Sequence, residues 1–356
     1  MRGLSSYRVA VAAVGCVLGA GFLSGQELWQ FFGSFGVWGL LGVALSAFLF
    51  FLVCAALLCF ARDSGKNTLS EIVVFFPSRV ARVAVAVFEG AFLFLLYLLM
   101  VAAAGALFEQ VFGGGGWIGA VCFAVGVATL SYFGVEGLLR VLSLLVPVLT
   151  LMAAGVAALV LVRSGMPTLP AGTGGGQFAL FAPLYVIFNV TSSVPVLAPV
   201  GVGARDEGSI WRGLFAAAFA LGGLATLIVL SLFVHPAAAA GELPMLTLAA
   251  SVGSAVGGVY ALLLFGGIFA TGLCAMSGLY RAVTLHRPRA RWALPPACAA
   301  AAFLLSRSGF RQLVGVIYPV FGYLGILPMA LSGVHIWRFY RQDHDRANEV
   351  HPPRQK

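Results

Sequence analysis

The sequence predicts an all-α polytopic membrane protein of about ten transmembrane helices, built as two inverted repeats of five. Three observations predict it. Of 356 residues, 61% are hydrophobic and only 9% charged, against about 45–50% and about 25% in soluble domains. The apolar residues gather into ten runs, most near the ~20 residues that cross a bilayer. Two interruptions, one rich in glycine and one polar, fall at mid-span about 170 residues apart. This composition excludes a soluble globular enzyme, a disordered chain and a disulfide-stapled secreted domain.

In chain order the runs cover residues 8–32, 37–60, 80–108, 117–133, 138–162, 177–202, 210–234, 253–285, 292–305 and 313–339. The first follows Arg2 and Arg8, as a signal peptide would, but it continues through Glu27 into aromatic residues and reads as a retained helix. The ninth is short. The tenth reads either as one span or as a short amphipathic piece followed by one. Connections are short, so residues 1–340 read as one transmembrane domain, with repeats at about 8–163 and 177–340. Residues 341–356 read as a polar cytoplasmic tail, expected to fray. Trp29, Trp38, Trp117, Trp211, Trp292 and Trp337 fall near run ends, as an interfacial belt would. The six cysteines (16, 54, 59, 122, 274 and 298) lie in apolar runs without metal-ligand spacing and read as small buried hydrophobes.

Charge placement supports the count. With the N-terminus inside, only Arg163, Arg307 and Arg311 fall outside, and the other 18 of 21 basic residues fall inside. A missed or invented mid-chain span would destroy that bias. Both termini are thus expected in the cytoplasm and the protein in the plasma membrane. The formal charge of +9 reads as loops facing an anionic leaflet, not as a nucleic-acid surface. The expected partners are the lipid bilayer and a small-molecule solute; the sequence sets no oligomeric state.

Gly134-Val135-Glu136-Gly137-Leu138, leading to Pro147, resembles Gly309-Phe310-Arg311-Gln312-Leu313, leading to Pro319, 175 residues later. Five spans separate them, so the second copy enters from the opposite side, the inverted arrangement of secondary transporters. The same offset relates the first span, with Gly19, Gly21 and Gly25 followed by Gln26 and Glu27, to the sixth, with Asn189, Thr191, Ser192, Ser193 and Pro195. Glycine and proline cost about 1 and about 3 kcal/mol inside a helix. Bare backbone in hydrocarbon costs several more per group. Both spans are therefore expected to break where they line an enclosed cavity, presenting amides and carbonyls to a ligand.

The string from Gly19 to Gly25 (GAGFLSG) resembles the GxGIxSG signature of amino acid–polyamine–organocation transporters. Its extension through Gln26-Glu27-Leu28-Trp29-Gln30-Phe31-Phe32 resembles the YkvI-type bacterial membrane proteins of that superfamily. Tyr185, Asn189, Pro244-Met245-Leu246, Tyr318-Pro319 and Gly322 agree with it. The resemblance implies a LeuT-like fold with helices 1 and 6 broken. It implies a substrate carboxylate held at Ser24, Gly25 and Gln26, and an amine held by carbonyls around Cys16–Gly19 and Phe188–Asn189. Gln26-Glu27 departs from the superfamily pattern, which is often apolar there.

A charge at membrane depth costs at least ~2.5–3.5 kcal/mol, so Glu27 and Glu89 are singled out. Glu27 either complements a helix dipole or serves as proton carrier or counter-charge to a cationic amine. Glu89 either pairs with Arg82 or Lys66 or relays protons. The candidate substrate residues are Gly19, Gly21, Ser24, Gly25, Gln26, Glu27, Tyr97, Tyr185, Asn189, Thr191 and Ser192. Tyr97 and Tyr185 read either as closing over the substrate or as core packing. No cofactor is expected beyond a coupling ion. For sodium the candidate ligands are Thr271 and the Gly19 carbonyl; for a proton, Glu27. Sodium is favoured, because the fifth run lacks the lysine that proton-coupled relatives often place near that site. The function expected is secondary active transport of a small amino acid, amine or related solute by alternating access. The alternative is a ligand sensor on the same fold, like a germinant-receptor subunit. An enzyme is not expected: there is no HExxH, GxSxG, membrane aspartate pair or histidine cluster.

Overall fold

The structure is a computed structural model that describes residues 3–76, 78–133, 145–165, 167–170, 172, 176–286 and 288–350. The first span is in three pieces: α1 (Ser6–Val17), α2 (Ala20–Ser24) and α3 (Gln26–Phe31). There follow α4 (Val37–Ser64), α5 (Leu69–Val73), α6 (Arg79–Phe112), α7 (Gly116–Leu130), α8 (Leu145–Ser164), α9 (Phe178–Gly203) and α10 (Glu207–Val234). The chain ends with α11 (Pro236–Ala239), α12 (Pro244–Val252), α13 (Ser254–His286), α14 (Leu294–Ser306) and α15 (Phe310–Val350). Seven helices (α4, α6, α8, α9, α10, α13 and α15) are long and apolar enough to cross a membrane. The three shorter apolar helices α1, α7 and α14 take the first, fourth and ninth positions. The protein is thus a multi-pass membrane protein.

Helix boundaries follow local chemistry. The Asp206 carboxylate caps α10 by accepting from the Ser209 amide at 2.6 Å. Ser78 caps α6 through the Ala81 amide at 3.2 Å. Gly65 and Gly113 end α4 and α6 at φ +73°, a left-handed conformation that glycine adopts freely. Counterparts five spans apart match in length. Both α4 and α10 have 28 residues, α6 and α13 have 34 and 33, and α7 and α14 have 15 and 13. The motif at residues 134–138 lies outside the described residues.

Packing divides the spans into two groups. The first span packs on α9 and α10, and α4 packs on the same two helices. The second group sets α6 against α13, α7 and α14. The fifth span, α8, rests on α10 and α13, and α15 rests on α9 and α6. The middle of the first span lies between the groups, where α2 touches α13, α12 and α8 and α3 touches α15 and α9.

Four sequence expectations are corrected. The sixth span does not break: α9 runs unbroken from Phe178 to Gly203 with Pro183, Pro195 and Pro199 inside it. Three of its polar side chains bond back to its own backbone. Ser192 and Ser193 donate to the Asn189 carbonyl at 2.8 and 2.7 Å, and the Asn189 amide donates to the Tyr185 carbonyl at 3.0 Å. These bonds and the packing of α4 and α15 hold the helix through its prolines. The tail is helical as far as Val350 rather than frayed from residue 341. Cys122 and Cys274 are exposed on the outer surface of α7 and α13, while Cys54, Cys59 and Cys298 are buried and Cys16 is half-buried. Among the described residues Glu89 forms no ion pair with Arg82 or Lys66; the ion pairs are Arg62–Asp63 and Arg205–Asp206, both between sequence neighbours.

Candidate functional site

The first span breaks where its glycines lie. The Leu18 amide makes the last helical bond of α1, to Val14 at 2.9 Å, and the Gly19 amide turns instead to Val17 at 2.7 Å. Gly19 is extended (φ −89°, ψ 177°). The carbonyls of Gly15 and Cys16 are thereby left outside the helical ladder. A second discontinuity follows at Gly25, whose φ of +80° separates α2 from α3. A Cβ there would be strained, and would lie 2.9 Å from Met245 Cγ.

The turn at Ser24–Gln26 is internally satisfied. Ser24 Oγ donates to the Gly21 carbonyl at 2.7 Å and accepts from the Gln26 amide at 3.3 Å. The Gly25 amide donates to Phe22 at 3.1 Å. In this structure the amides expected to receive a carboxylate at Gly25 and Gln26 are already engaged. From α13, the Tyr260 hydroxyl donates to the Leu23 carbonyl at 2.5 Å.

What remains unsatisfied is side-chain chemistry. Gln26 is fully buried, and neither its amide nitrogen nor its oxygen has a partner among the described residues. Glu27 is 4% exposed. Its carboxyl reaches back over Gly21, where a Cβ would lie 2.7 Å from Glu27 Oε2 and 2.5 Å from the Tyr318 hydroxyl. That close approach is what requires glycine at position 21. The Tyr318 hydroxyl and the carboxyl thus meet over Gly21. Tyr185 and Asn189 also face it, yet Glu27 Oε1 and the Tyr185 hydroxyl reach no partner at hydrogen-bonding geometry among the described residues. Buried polar atoms are seldom left unpaired, which makes this cluster the candidate binding site. Around it stand aromatic rings. Tyr318 stacks on Phe188 with centroids 4.2 Å apart, and Tyr185 lies 5.1 Å from both Phe31 and Phe32. Tyr185 and Asn189 also line a small cavity of about 40 Å³, apolar on most sides, with Phe22, Phe32, Val43 and Phe50.

Of the candidate residues, the structure brings Gly21, Glu27, Tyr185 and Asn189 together, with Gly19, Ser24, Gly25 and Gln26 shaping the backbone around them. It places four others differently. Tyr97 is buried in α6 and donates to the Ala124 carbonyl of α7 at 2.8 Å, so its hydroxyl joins the third and fourth spans. Thr191 faces the tenth span, its hydroxyl 3.4 Å from the position of a Cβ on Gly325, and it has no hydrogen-bond partner among the described residues. Ser192 is bonded within α9 as described above. Thr271 donates to the Gly267 carbonyl of its own helix at 3.0 Å, the ordinary arrangement of a threonine in an apolar helix.

Two residues outside the candidate set matter here. In the sequence Tyr318 stands out only as part of the Tyr-Pro pair in the tenth span. Tyr260 carried no sequence signal beyond being a tyrosine in an apolar run. Among the described residues no group of three or more His, Cys, Asp or Glu is placed to hold a metal ion.

No protein-family model matches the chain. It is 27% identical to the "Uncharacterized membrane protein YkvI" of Bacillus subtilis (strain 168) over 325 residues, covering 90% of this chain and 93% of that protein. Its structure is similar to that of MhsT in complex with L-phenylalanine (TM-score 0.65, 16% identity, 93% of this chain and 89% of that one). It is similar to the inward-facing conformation of Mhp1 (TM-score 0.60, 15% identity, 94% and 76%). It is also similar to a Na+-coupled sialic acid symporter in a substrate-bound, outward-open state (TM-score 0.51, 13% identity, 94% and 79%). At these identities the structural likeness establishes architecture, which agrees with the order and packing of the ten spans. The chain therefore has the LeuT fold and is similar to YkvI along nine-tenths of its length.

Proposed function

We propose that the protein is a secondary active transporter of a small solute, working by alternating access around the break in the first span. The observation that carries this reading is the buried polar cluster of Glu27, Tyr185, Asn189 and Tyr318 at the break between the two packing groups, with Glu27 Oε1 and the Tyr185 hydroxyl unpartnered among the described residues. An enclosed polar site at a helix break, flanked by two bodies able to rock against each other, is what alternating access requires. The solute is an amino acid, an amine or a related compound. MhsT, described with L-phenylalanine, supports that class. Sodium coupling draws support from the Na+-coupled sialic acid symporter. In this chain it would require the Thr271 hydroxyl to leave Gly267 and turn toward the first span.

The test is thermal unfolding of the purified full chain with amino acids and amines, in sodium or in potassium chloride, beside Gly21→Leu. Ligand at a hundredfold excess over Kd stabilises the folded state by about 2.7 kcal/mol. The reading expects a compound that stabilises the wild type, fails to stabilise the folded Gly21→Leu variant, and accumulates in liposomes carrying the protein. A compound that binds Gly21→Leu unchanged would place the site elsewhere. Binding without uptake would make the protein a sensor.

A further inference from the structure

Glu27 is a buried carboxyl in search of a neutralising partner. The groups that act on it are neutral: Tyr185 and Asn189 from α9 and Tyr318 from α15. The other elements packed on α2 and α3 add the Tyr260 hydroxyl from α13, spent on the Leu23 carbonyl, Met245 from α12, the apolar Phe233 of α10 against Trp29, and α8, whose charged residue Arg163 lies in its last turn and donates to the Val252 carbonyl. No lysine, arginine or histidine among the described residues acts on the carboxyl. A helix-capping role would turn the carboxyl toward the amides that open α3. Instead it lies over Gly21 on the other side of the turn, and the Gln26 amide is served by Ser24. An ionised carboxylate cannot stay buried without a counter-charge. It must carry a proton or hold a cation.

We propose that Glu27 exchanges these two, so that a proton and a monovalent organic ammonium ion compete for one carboxylate. This rests on the transporter reading and names its substrate class. The ammonium enters as the carboxylic proton leaves; the carboxylate then pairs with the ammonium, and the charge of the occupied site is unchanged. The surroundings favour an organic cation over a bare metal ion. The rings of Tyr185, Tyr318, Phe31 and Phe188 attract a soft cation, and the small cavity beside Tyr185 and Asn189 takes an alkyl group. The Tyr185 hydroxyl, unpartnered among the described residues, supplies an acceptor for an ammonium N–H. On alternate faces of the membrane the same competition makes the protein an exchanger of protons for amines.

The experiment uses the purified full chain in weakly buffered detergent solution. It is titrated with n-butylammonium chloride, with tetramethylammonium chloride, which has no proton of its own to lose, and with sodium chloride. Near or below the carboxyl's own titration, one proton is expected to be released per ammonium bound. The apparent Kd should rise about tenfold for each further unit of acidification. Glu27→Asp should keep the release at altered affinity, and Glu27→Gln should abolish it. The wild-type proton count stands without any variant, so a misfolded Glu27→Gln would not blunt the test. Ammonium binding without proton release at any pH would overturn the proposal. So would equal affinity in Glu27→Gln, or a proton released by sodium chloride and by neither ammonium. A neutral solute that binds in a Gly21-dependent manner, with no ammonium binding, would overturn the exchange and leave the transporter reading standing. Ammonium-driven proton release without liposome uptake would keep the exchange site and overturn transport.

Discussion

At the scale of single residues, the glycines of the first span act through what they leave out. A methyl group at Gly21 would fall within 2.7 Å of both the Glu27 carboxyl and the Tyr318 hydroxyl. Gly21→Ala is therefore expected to push the two apart, with an overpacking cost of about 1–3 kcal/mol and loss of ligand binding. Thermal unfolding and a binding titration check it; a variant as stable and as tightly binding as wild type would refute the close approach. Tyr260 carries a different load. Its hydroxyl supplies a hydrogen bond to Leu23 just ahead of the Gly25 turn, and Tyr260→Phe leaves that buried carbonyl without this donor. The expected cost is about 1–3 kcal/mol, read as a lower Tm, with the Gly21-dependent site also loosened. Glycine at positions 19, 21 and 25 was legible as a break in the sequence. The partners that fill the gap, Tyr318 above all, were not, because nothing local to the tenth span marks which side of it faces Glu27.

At the scale of elements, α5 and α15 form a clamp at the end of the molecule that holds the loop between the second and third spans. His335 of α15 is 7% exposed. Its Nδ1 lies 2.7 Å from the Ile72 carbonyl and its Nε2 lies 2.7 Å from Lys66 Nζ. The Nδ1–H therefore donates to Ile72, and Nε2 accepts from the ammonium of Lys66. Phe60 and Phe75 pack on the imidazole ring, and the Tyr340 hydroxyl donates to Asp63 at 2.8 Å. Burial pushes the Lys66 amine below its usual range. His335→Leu is expected to free Lys66 and α5 together, seen as faster amide hydrogen exchange over residues 66–73 while α9 and α10 stay protected. Unchanged exchange would show that apolar packing alone holds α5. The start of α5 has its own pH dependence. Thr68 accepts from the Glu71 amide at 3.3 Å, and Glu71 accepts from the Asn67 amide at 3.1 Å. That backbone bond holds the Glu71 carboxyl below the usual carboxylate range. A depressed carboxyl stabilises the fold above its unfolded value, about pH 4.3, and loses that contribution as pH falls through the folded value. Protection of the Asn67 and Glu71 amides should therefore hold from neutral pH to about 4 and fall below it; Glu71→Gln should remove the dependence.

At the scale of the whole molecule, the count of ten spans can be checked by contacts between ends. Each pair that the count places on one side of the membrane meets there. The Gly3 amide donates to the Gly203 carbonyl, joining the chain start to the end of the sixth span. Tyr340 reaches Asp63, and Tyr132 reaches the Trp292 carbonyl. On the opposite side, the Val37 amide meets the Pro170 carbonyl, the Gln30 side chain meets the Arg311 carbonyl, and Gln110 meets Thr247. An odd error in the count would have put members of these pairs on opposite faces. The bias of basic residues predicts that the first side is the cytoplasmic one. Asn67→Cys should then resist a membrane-impermeant thiol reagent in intact cells, and Gly114→Cys should react. The opposite result would invert the protein in the membrane.

Sequence alone determined the number of spans, the grouping of their ends and the break at Gly19–Gly25. These follow from the length of apolar runs, the placement of basic residues and the cost of glycine in a helix, all properties of one segment at a time. Even the prediction of a second break misjudged only how Ser192, Ser193 and Asn189 spend their polar atoms, which lie on one helix. Tertiary structure alone decided which side chains share the site. It set Tyr318 and Tyr185 against Glu27, diverted the Tyr97 hydroxyl to Ala124, and joined His335 to Lys66. The reason is physical. A membrane helix is apolar on every side, so its sequence carries little of the amphipathic periodicity that tells a soluble helix which face to bury. Facing is settled by shape and by the few polar atoms that must be satisfied away from water, and both depend on neighbours far away in the chain.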